Sequence, residues 1–379
     1  MSSRPAYVDG PRSFNMDWAN ARLIAFLSEH YGDDLSVAVF SDPEFNSGYS
    51  GKIEVRKVYP LPFPFTHPGG IKNVLKIRAQ LKSIELENEL LIIQLPMIGF
   101  PALLNLSRPT IYHMCANVLT AANNPLKYQG AKAFVASMMA RAIDWTYQKL
   151  FSKSNVAILL NGNELGRQYA AYKPRVVISS SILPADIVDP EKIQKSSDAV
   201  LRLVFVGRPS LEKGFDVLID ALLLSDLPFE LTVIGFSAQE FQKLLPACFS
   251  RSISIHEKIT FVGHLNWGDD FKNKLQSQQV LIVPSRSEGT PRVILEAMSQ
   301  GVTVIGSRVG GIPDLVHDGK NGLTFQFDSM QDLKSKIDFL YSNPATRIML
   351  AQSGWAFAQE HTIEEFGAHF IETIESLQE

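Results

Sequence analysis

Two acidic residues flanking a short helix-starting segment open the chemical reading of this chain. The segment Glu288-Gly-Thr-Pro-Arg-Val-Ile-Leu-Glu296 follows an apolar run ending Ile282-Val283-Pro284-Ser285. Pro291 suits the first turn of a helix, where its missing N–H has no helical partner to lose. Gly289 lets a ligand approach the backbone closely. The amides from Gly289 through Thr290 and Arg292 to Val293 then form an open helix N-terminus, which attracts anions. Glu288 falls in a strand-to-helix loop, the edge where α/β sheets bind ligands. Glu296 lies about two helical turns further on. Carboxylates so placed can accept hydrogen bonds from separate hydroxyl-bearing parts of one ligand. The plainer alternative is a helix-terminal charge and a solvated surface Glu.

A second cluster lies in Val204-Phe-Val-Gly-Arg-Pro-Ser-Leu-Glu-Lys-Gly214. A strand ending at Gly207 delivers Arg208 and Lys213 from one loop. Such a pair can converge on a diphosphate, the Arg as a fork and the Lys as a point charge. Hydrogen bonds to a charged group are worth roughly 1.5–3 kcal/mol, against about 0.3–1 for a helix dipole. Arg208 and Lys213 are therefore expected to dominate phosphate binding, with the helix at Pro291 assisting. Surface basics in a loop are the alternative. His113 ends the run Pro109-Thr-Ile-Tyr-His at a strand's carboxyl edge, and His264 follows Phe261-Val-Gly263. His113 reads as a structural histidine or a site residue. His264 reads as a neighbour of a nucleobase, and Gly69-Gly70 as an acceptor-phosphate loop.

The elements that must carry these residues are clearest in the second half. Strands are expected at 200–206, 230–235, 258–262, 280–284, 303–307 and 322–325. Helices are expected to begin near Phe215, Ala238, Asp269, Pro291, Ile312 and Met330. Near-continuously apolar strands alternating with helices indicate a parallel sheet covered on both faces, hence a doubly wound α/β domain. In the first half, strands are expected at 35–40, 55–59, 89–95, 110–114, 155–161 and 175–180, and helices at 17–30, 71–82 and 131–151. A polar stretch at 190–199 marks the join, giving domains 1–190 and 191–361. Helical spacing at Phe366, Phe370, Ile371 and Ile374 follows over 362–377.

Composition narrows the classes. The chain has 379 residues, 45% hydrophobic and 20% charged, a globular balance. A net charge of −3 excludes a whole-protein polyanion binder, so no nucleic-acid partner is expected. Two cysteines make no disulfide framework, and no apolar run is long enough to span a bilayer. A cytoplasmic protein is the expectation. Residues 1–190 carry net +4 and residues 191–379 net −7. Two basic amphipathic stretches lie in the positive half. One is 71–82, with Lys72, Lys76, Arg78 and Lys82. The other is 127–153, with Lys132, Arg141 and Lys149. Each reads as a solvated helix face, or as contact with an anionic membrane at its inner face or with an anionic acceptor.

Several chemistries lack their motifs. There is no phosphate-binding G-x-x-x-x-G-K-[ST], no G-x-G-x-x-G, no H-E-x-x-H, no C-x-x-C and no G-x-S-x-G. No Asp-x-Asp metal–diphosphate motif is present either, so no metal and no cofactor are expected.

Over roughly 200–325 the chain resembles a retaining glycosyltransferase of family 4, with the GT-B architecture. The resemblance rests on V-F-V-G-R-P-S-L-E-K-G, I-T-F-V-G-H-L, P-S-R-S-E-G-T-P-R-V-I-L-E-A-M-S-Q-G and V-I-G-S-R-V-G-G-I-P-D-L-V-H-D-G-K-N-G-L, in that order. It implies two Rossmann-like domains facing across a cleft, with the C-terminal helix crossing back onto the first. In such enzymes the first Glu of E-x7-E, here Glu288, contacts the donor sugar, and the second, Glu296, holds the ribose hydroxyls. Arg208 and Lys213 then bind the diphosphate, and the backbone from Gly289 to Arg292 touches sugar and phosphate. A histidine at a first-domain strand end lines the sugar pocket, with His113 the match. The implied reaction moves a sugar from a nucleotide sugar to a hydroxyl of a glycan or lipid-linked glycan, with retention and without metal. Departures are E-G-T-P where the family often has E-G-F-G, Asp314 in place of a common Glu, and a very short first strand, Ala6-Tyr-Val. The alternatives are another GT-B enzyme, such as a nucleotide-sugar epimerase, and a non-catalytic sugar-nucleotide binding module.

Overall fold

The computed structural model describes residues 5–41, 50–61, 70–96, 106–123, 128–193 and 199–378. The chain forms two compact units, Met1–Ser181 with Ile363–Glu379, and Ile182–Thr362. Gly69 and Lys127 lie outside the described residues, as does the side chain of Lys72.

Among the described residues the first unit holds nine strands: β1 (Pro5–Val8), β2 (Ser13–Asp17), β3 (Ser36–Ser41), β4 (Ser50–Glu54), β5 (Lys57–Leu61), β6 (Leu91–Leu95), β7 (Thr110–Met114), β8 (Val156–Asn161) and β9 (Arg175–Val177). Among the described residues they form two sheets, where the sequence suggests one doubly wound layer. One sheet is mixed, in the order β4-β2-β1-β3-β5, and the other is parallel, β6-β7-β8-β9. The mixed sheet arises because β2 turns back on β1 and β4 turns back on β2, both antiparallel. Neither β2 nor β4 is expected from the sequence, because Ser13-Phe-Asn-Met-Asp17 and Ser50-Gly-Lys-Ile-Glu54 are short and half polar. The helices Trp18–Tyr31, Gly70–Glu87 and Ala131–Phe151 stand where periodicity places them. The last helix, Ile363–Gln378, packs on Trp18–Tyr31 so closely that a methyl group at Gly367 would sit 2.3 Å from the Phe26 ring. Arg175 Nη1 donates to Glu372 Oε2 on that helix (2.6 Å).

Among the described residues the strands of the second unit form one six-stranded parallel sheet: β10 (Leu201–Val206), β11 (Phe229–Ile234), β12 (Ile259–Gly263), β13 (Val280–Val283), β14 (Thr303–Ser307) and β15 (Leu323–Phe325). Its order is β12-β11-β10-β13-β14-β15. The strand order therefore reverses between β10 and β13, which makes that edge the ligand crevice of an open α/β sheet. Four tilted or edge-on rings, Phe205, Phe215, Phe236 and Phe241, anchor β10 to the helix that follows it, with Phe205 and Phe215 4.9 Å apart.

The join falls at 181/182, ahead of the polar stretch at 190. The intervening segment is tied into the second unit: Val188 N–H donates to Ser299 O (2.9 Å), Gln300 Nε2 to Asp186 O (2.7 Å) and Trp355 Nε1 to Val188 O (2.8 Å). Those bonds are tertiary and leave no local sequence signature. Among the described residues, no helix is long and apolar enough to cross a membrane.

Candidate functional site

The site is built from the two loops that leave β10 and β13 at the reversal point. After β10, a single 3-10 turn, Leu211–Lys213, ends at Gly214 and passes into the helix Phe215–Leu223. Gly214 has φ +67°, and a methyl group there would lie 1.8 Å from Pro284 O. No L side chain fits, so the two loops can approach one another only with glycine here. After β13, Ser285 to Thr290 lead to Pro291, which caps the helix Arg292–Ser299. The proline stands one position before the first helical residue, and Gly289 is exposed at the mouth of that helix.

The approach brings Lys213 and Glu288 together across 75 positions of sequence. Lys213 Nζ donates to Glu288 Oε1 at 2.5 Å, and Ser285 Oγ donates to the same oxygen at 2.7 Å. Both charged side chains are mostly buried. Arg208 stands exposed on the β10 loop. Glu296 is buried in the helix Arg292–Ser299, only 7% exposed. Gly207 follows β10, beside the Phe205 ring.

Two hydroxyls in these loops, Ser210 Oγ and Thr290 Oγ1, are buried and meet no protein partner among the described residues. Buried polar groups are nearly always satisfied, so orphans on both loops mark a place for a polar ligand. The Thr290 loop is backed by Gly310-Gly311: Gly311 N–H donates to Gly289 O (2.8 Å), and a methyl group at Gly310 (φ +53°) would lie 1.9 Å from Glu288 O. The G-G-I-P turn is thus a backbone clamp on the Glu288 loop.

Sequence reading missed Arg286. Its Nη1 and Nη2 grip both oxygens of Asp216 (2.7 and 2.8 Å), Nη1 also donates to Leu211 O (2.6 Å), and Nε donates to Asp328 Oδ1 (2.8 Å). Its backbone N–H donates to Glu212 O (2.8 Å). The fork therefore ties the Lys213 turn to the strand end that carries Glu288. The Asp216 hydrogen bonds raise the Arg286 pKa further above its ordinary value, so it stays charged. Only the pairing of Arg286 with Asp216 and Asp328, remote in sequence, reveals this role.

Within the second unit, one expected residue stands apart from this cluster. His264 is exposed just past β12, the edge strand, two strand spacings (about 10 Å) from β10. His113 belongs to the first unit. It is 4% exposed on β7, under Phe370 (5.1 Å) and Phe366 (5.6 Å) of the last helix, with Cys115 Sγ 3.6 Å away. Burial pushes its pKa down to about 4.

Residues 189–355 match the family model Glycosyl transferases group 1. Over this segment the chain is similar to that family. An uncharacterized glycosyltransferase of Methanocaldococcus jannaschii is 33% identical over 162 residues, covering 43% of this chain and 44% of that protein. The lipopolysaccharide core biosynthesis glycosyltransferase LpsE of Rhizobium meliloti is 27% identical over 168 residues, covering 44% of this chain and 47% of LpsE. The matched segment thus spans less than half the length of either relative. Anabaena HepE, solved in complex with UDP, superposes with a TM-score of 0.69 at 19% identity, over 94% of this chain and 96% of HepE. The fold is GT-B.

Proposed function

We propose that this chain is a glycosyltransferase that moves a sugar from a nucleoside diphosphate sugar to an acceptor hydroxyl. The observation that carries the reading is the meeting of Lys213 and Glu288 at the strand-order reversal, beside the helix mouth at Gly289. A cation, a carboxylate and a helix N-terminus at one point suit a diphosphate joined to a polyhydroxylated ring. The UDP held by HepE supports a nucleoside diphosphate as the donor.

In this reading Lys213 and Arg208 bind the diphosphate, and the helix at Pro291 and Arg292 assists through its amides. Glu288 orients sugar hydroxyls, Glu296 holds the ribose, and Thr290 and Ser210 give their hydroxyls to the ligand. The bond from the anomeric carbon to the β-phosphate oxygen breaks, and its electron pair stays on the phosphate. Lys213 and Arg208 stabilise that growing charge without reorganising, which is the largest contribution a fixed site can make. The acceptor oxygen bonds to the anomeric carbon on the same face, and its proton passes to the departing β-phosphate. Configuration is retained, and no metal enters the scheme. His264 contributes at most to the base subsite. His113, neutral above pH 5 and covered by aromatic rings, is left outside the chemistry. The acceptor is read as a glycan or lipid-linked glycan, met at an anionic membrane surface; the likeness to LpsE supports this.

The test is donor hydrolysis over UDP-, GDP- and ADP-sugars. One donor should be turned over slowly by the wild type, and Lys213→Ala or Glu288→Gln should lower that turnover on the order of 10²–10³. Near-wild-type turnover in folded variants overturns the assignment. Conversion of the sugar without nucleotide-dependent transfer to any acceptor favours the epimerase reading instead.

A further inference from the structure

The two basic stretches of the first unit part company in three dimensions. In the helix Gly70–Glu87, Ile77, Leu81 and Ile84 point inward and Lys82 pairs with Glu85 (2.7 Å). That is an ordinary solvated face. The helix Ala131–Phe151 is different. Phe134, Val135, Met138, Met139 and Trp145 all stand outward, each between 52% and 70% exposed. Single exposed apolar residues are common on protein surfaces, but five on one helical stripe are not.

Charge borders the stripe. At about 100° per residue, Lys132 and Arg141 lie about 180° apart, on its two margins. Lys149 stands at its C-terminal end, its Nζ 5.6 Å over the Trp145 ring. The helix has one acidic residue, Asp144, and it is turned inward, where Tyr169 Oη, Gln168 Nε2 (3.1 Å) and Gln148 Nε2 (2.7 Å) all donate to it. The exposed face therefore carries three cations and no anion. Val135 and Met139 also border a trough of about 590 Å³ shared with Val118, Ala121 and Tyr128, so the apolar surface continues past the stripe.

We propose that the helix Ala131–Phe151 is a docking surface for an anionic lipid bilayer, laid flat with its apolar stripe in the headgroup layer. The occupant follows from complementarity: aromatic and Met side chains suit the acyl boundary, and the marginal cations suit anionic headgroups. The proposal names the membrane contact of the acceptor reading above and rests on it, but it uses no residue of the donor site.

The experiment is flotation of the full chain with vesicles of phosphatidylcholine alone or with phosphatidylglycerol. Wild type is expected on the anionic vesicles, less so at high salt, with a blue shift in emission that Trp145→Phe removes. Lys132→Gln/Arg141→Gln/Lys149→Gln should lower the partition coefficient about 100-fold, from three cations at about 1 kcal/mol each. Met138→Ser/Met139→Ser should lower it independently of salt. Both variants should keep wild-type melting and wild-type donor hydrolysis in the absence of lipid, so a failure here is distinct from a failure of the donor site. Wild type that stays off anionic vesicles overturns the proposal. So do variants that float as wild type does. A dimer in lipid-free buffer that Met138→Ser/Met139→Ser dissociates would also overturn it, by showing a second copy on the stripe.

Discussion

Replacing Arg286 with Met should loosen the second unit and its candidate site together. The arginine side chain is 18% exposed and that of Asp216 16%, so the substitution strands a largely buried carboxylate. Breaking such a pair from one side costs roughly 3–5 kcal/mol. Residual exposure places this case at the low end, near about 3 kcal/mol, and the half-exposed Asp328 adds no more than about 1. For a unit of this size each kcal/mol lowers the melting temperature by about 2–4 °C, which gives a fall of about 6–12 °C. The substitution also releases the Leu211 carbonyl and hence the turn that aims Lys213. A displacement of that turn by about 1 Å should slow donor hydrolysis on the order of 10- to 10²-fold. Scanning calorimetry and single-donor hydrolysis read the two effects. Arg286→Lys keeps the charge but not the fork, so it should recover part of the stability and less of the rate. A Met variant that melts within about 1 °C of wild type and turns over normally would refute the reasoning.

Three further expectations follow from the same geometry. Gly214→Ala should destabilise clearly more than Gly319→Ala in chemical denaturation: both have positive φ, costing about 1–2 kcal/mol, but only at Gly214 would the methyl group meet a backbone oxygen, at 1.8 Å. Equal losses would remove the loop-contact argument. His113 should titrate near 4 by NMR. Because its folded pKa lies below the unfolded value of about 6.5, the unfolded chain binds the extra proton, and the stability due to neutral His113 is lost as pH falls from about 6.5 to about 4. His113→Gln should flatten the pH dependence of stability in that window; an unchanged slope would contradict it. Finally, Gly310→Ala should impair turnover through the Glu288 loop, since its methyl group would lie 1.9 Å from Glu288 O; wild-type turnover there would show that the turn does not clamp the loop.

The second unit was legible because its signals are local. Apolar runs alternate with helical periods, and Ser237, Asp269 and Ser329 mark helix starts, so every strand appears within one or two residues of its expected place. The first unit was less legible where strands are short and half polar: β2 and β4 exist because they pair with β1 and with each other, not because of their own composition. The residues that could bind a phosphorylated sugar, Lys213, Glu288 and the Gly289 loop, were visible as types and spacings. That Lys213 touches Glu288 was not, because the contact depends on β10 and β13 being neighbours in a sheet whose order reverses between them. The same holds for Arg286, whose partners lie 70 and 42 positions away. Charge and periodicity along 131–151 predicted an amphipathic helix, but not which face lies outward. Hydrophobic burial ordinarily turns the apolar face inward, and here the interior is already filled by Ala140, Tyr147, Leu150 and Phe151, all buried. What lies along the chain was set by local periodicity and backbone preference. Which of its surfaces meet, and which stay open, was set by packing between residues far apart in sequence.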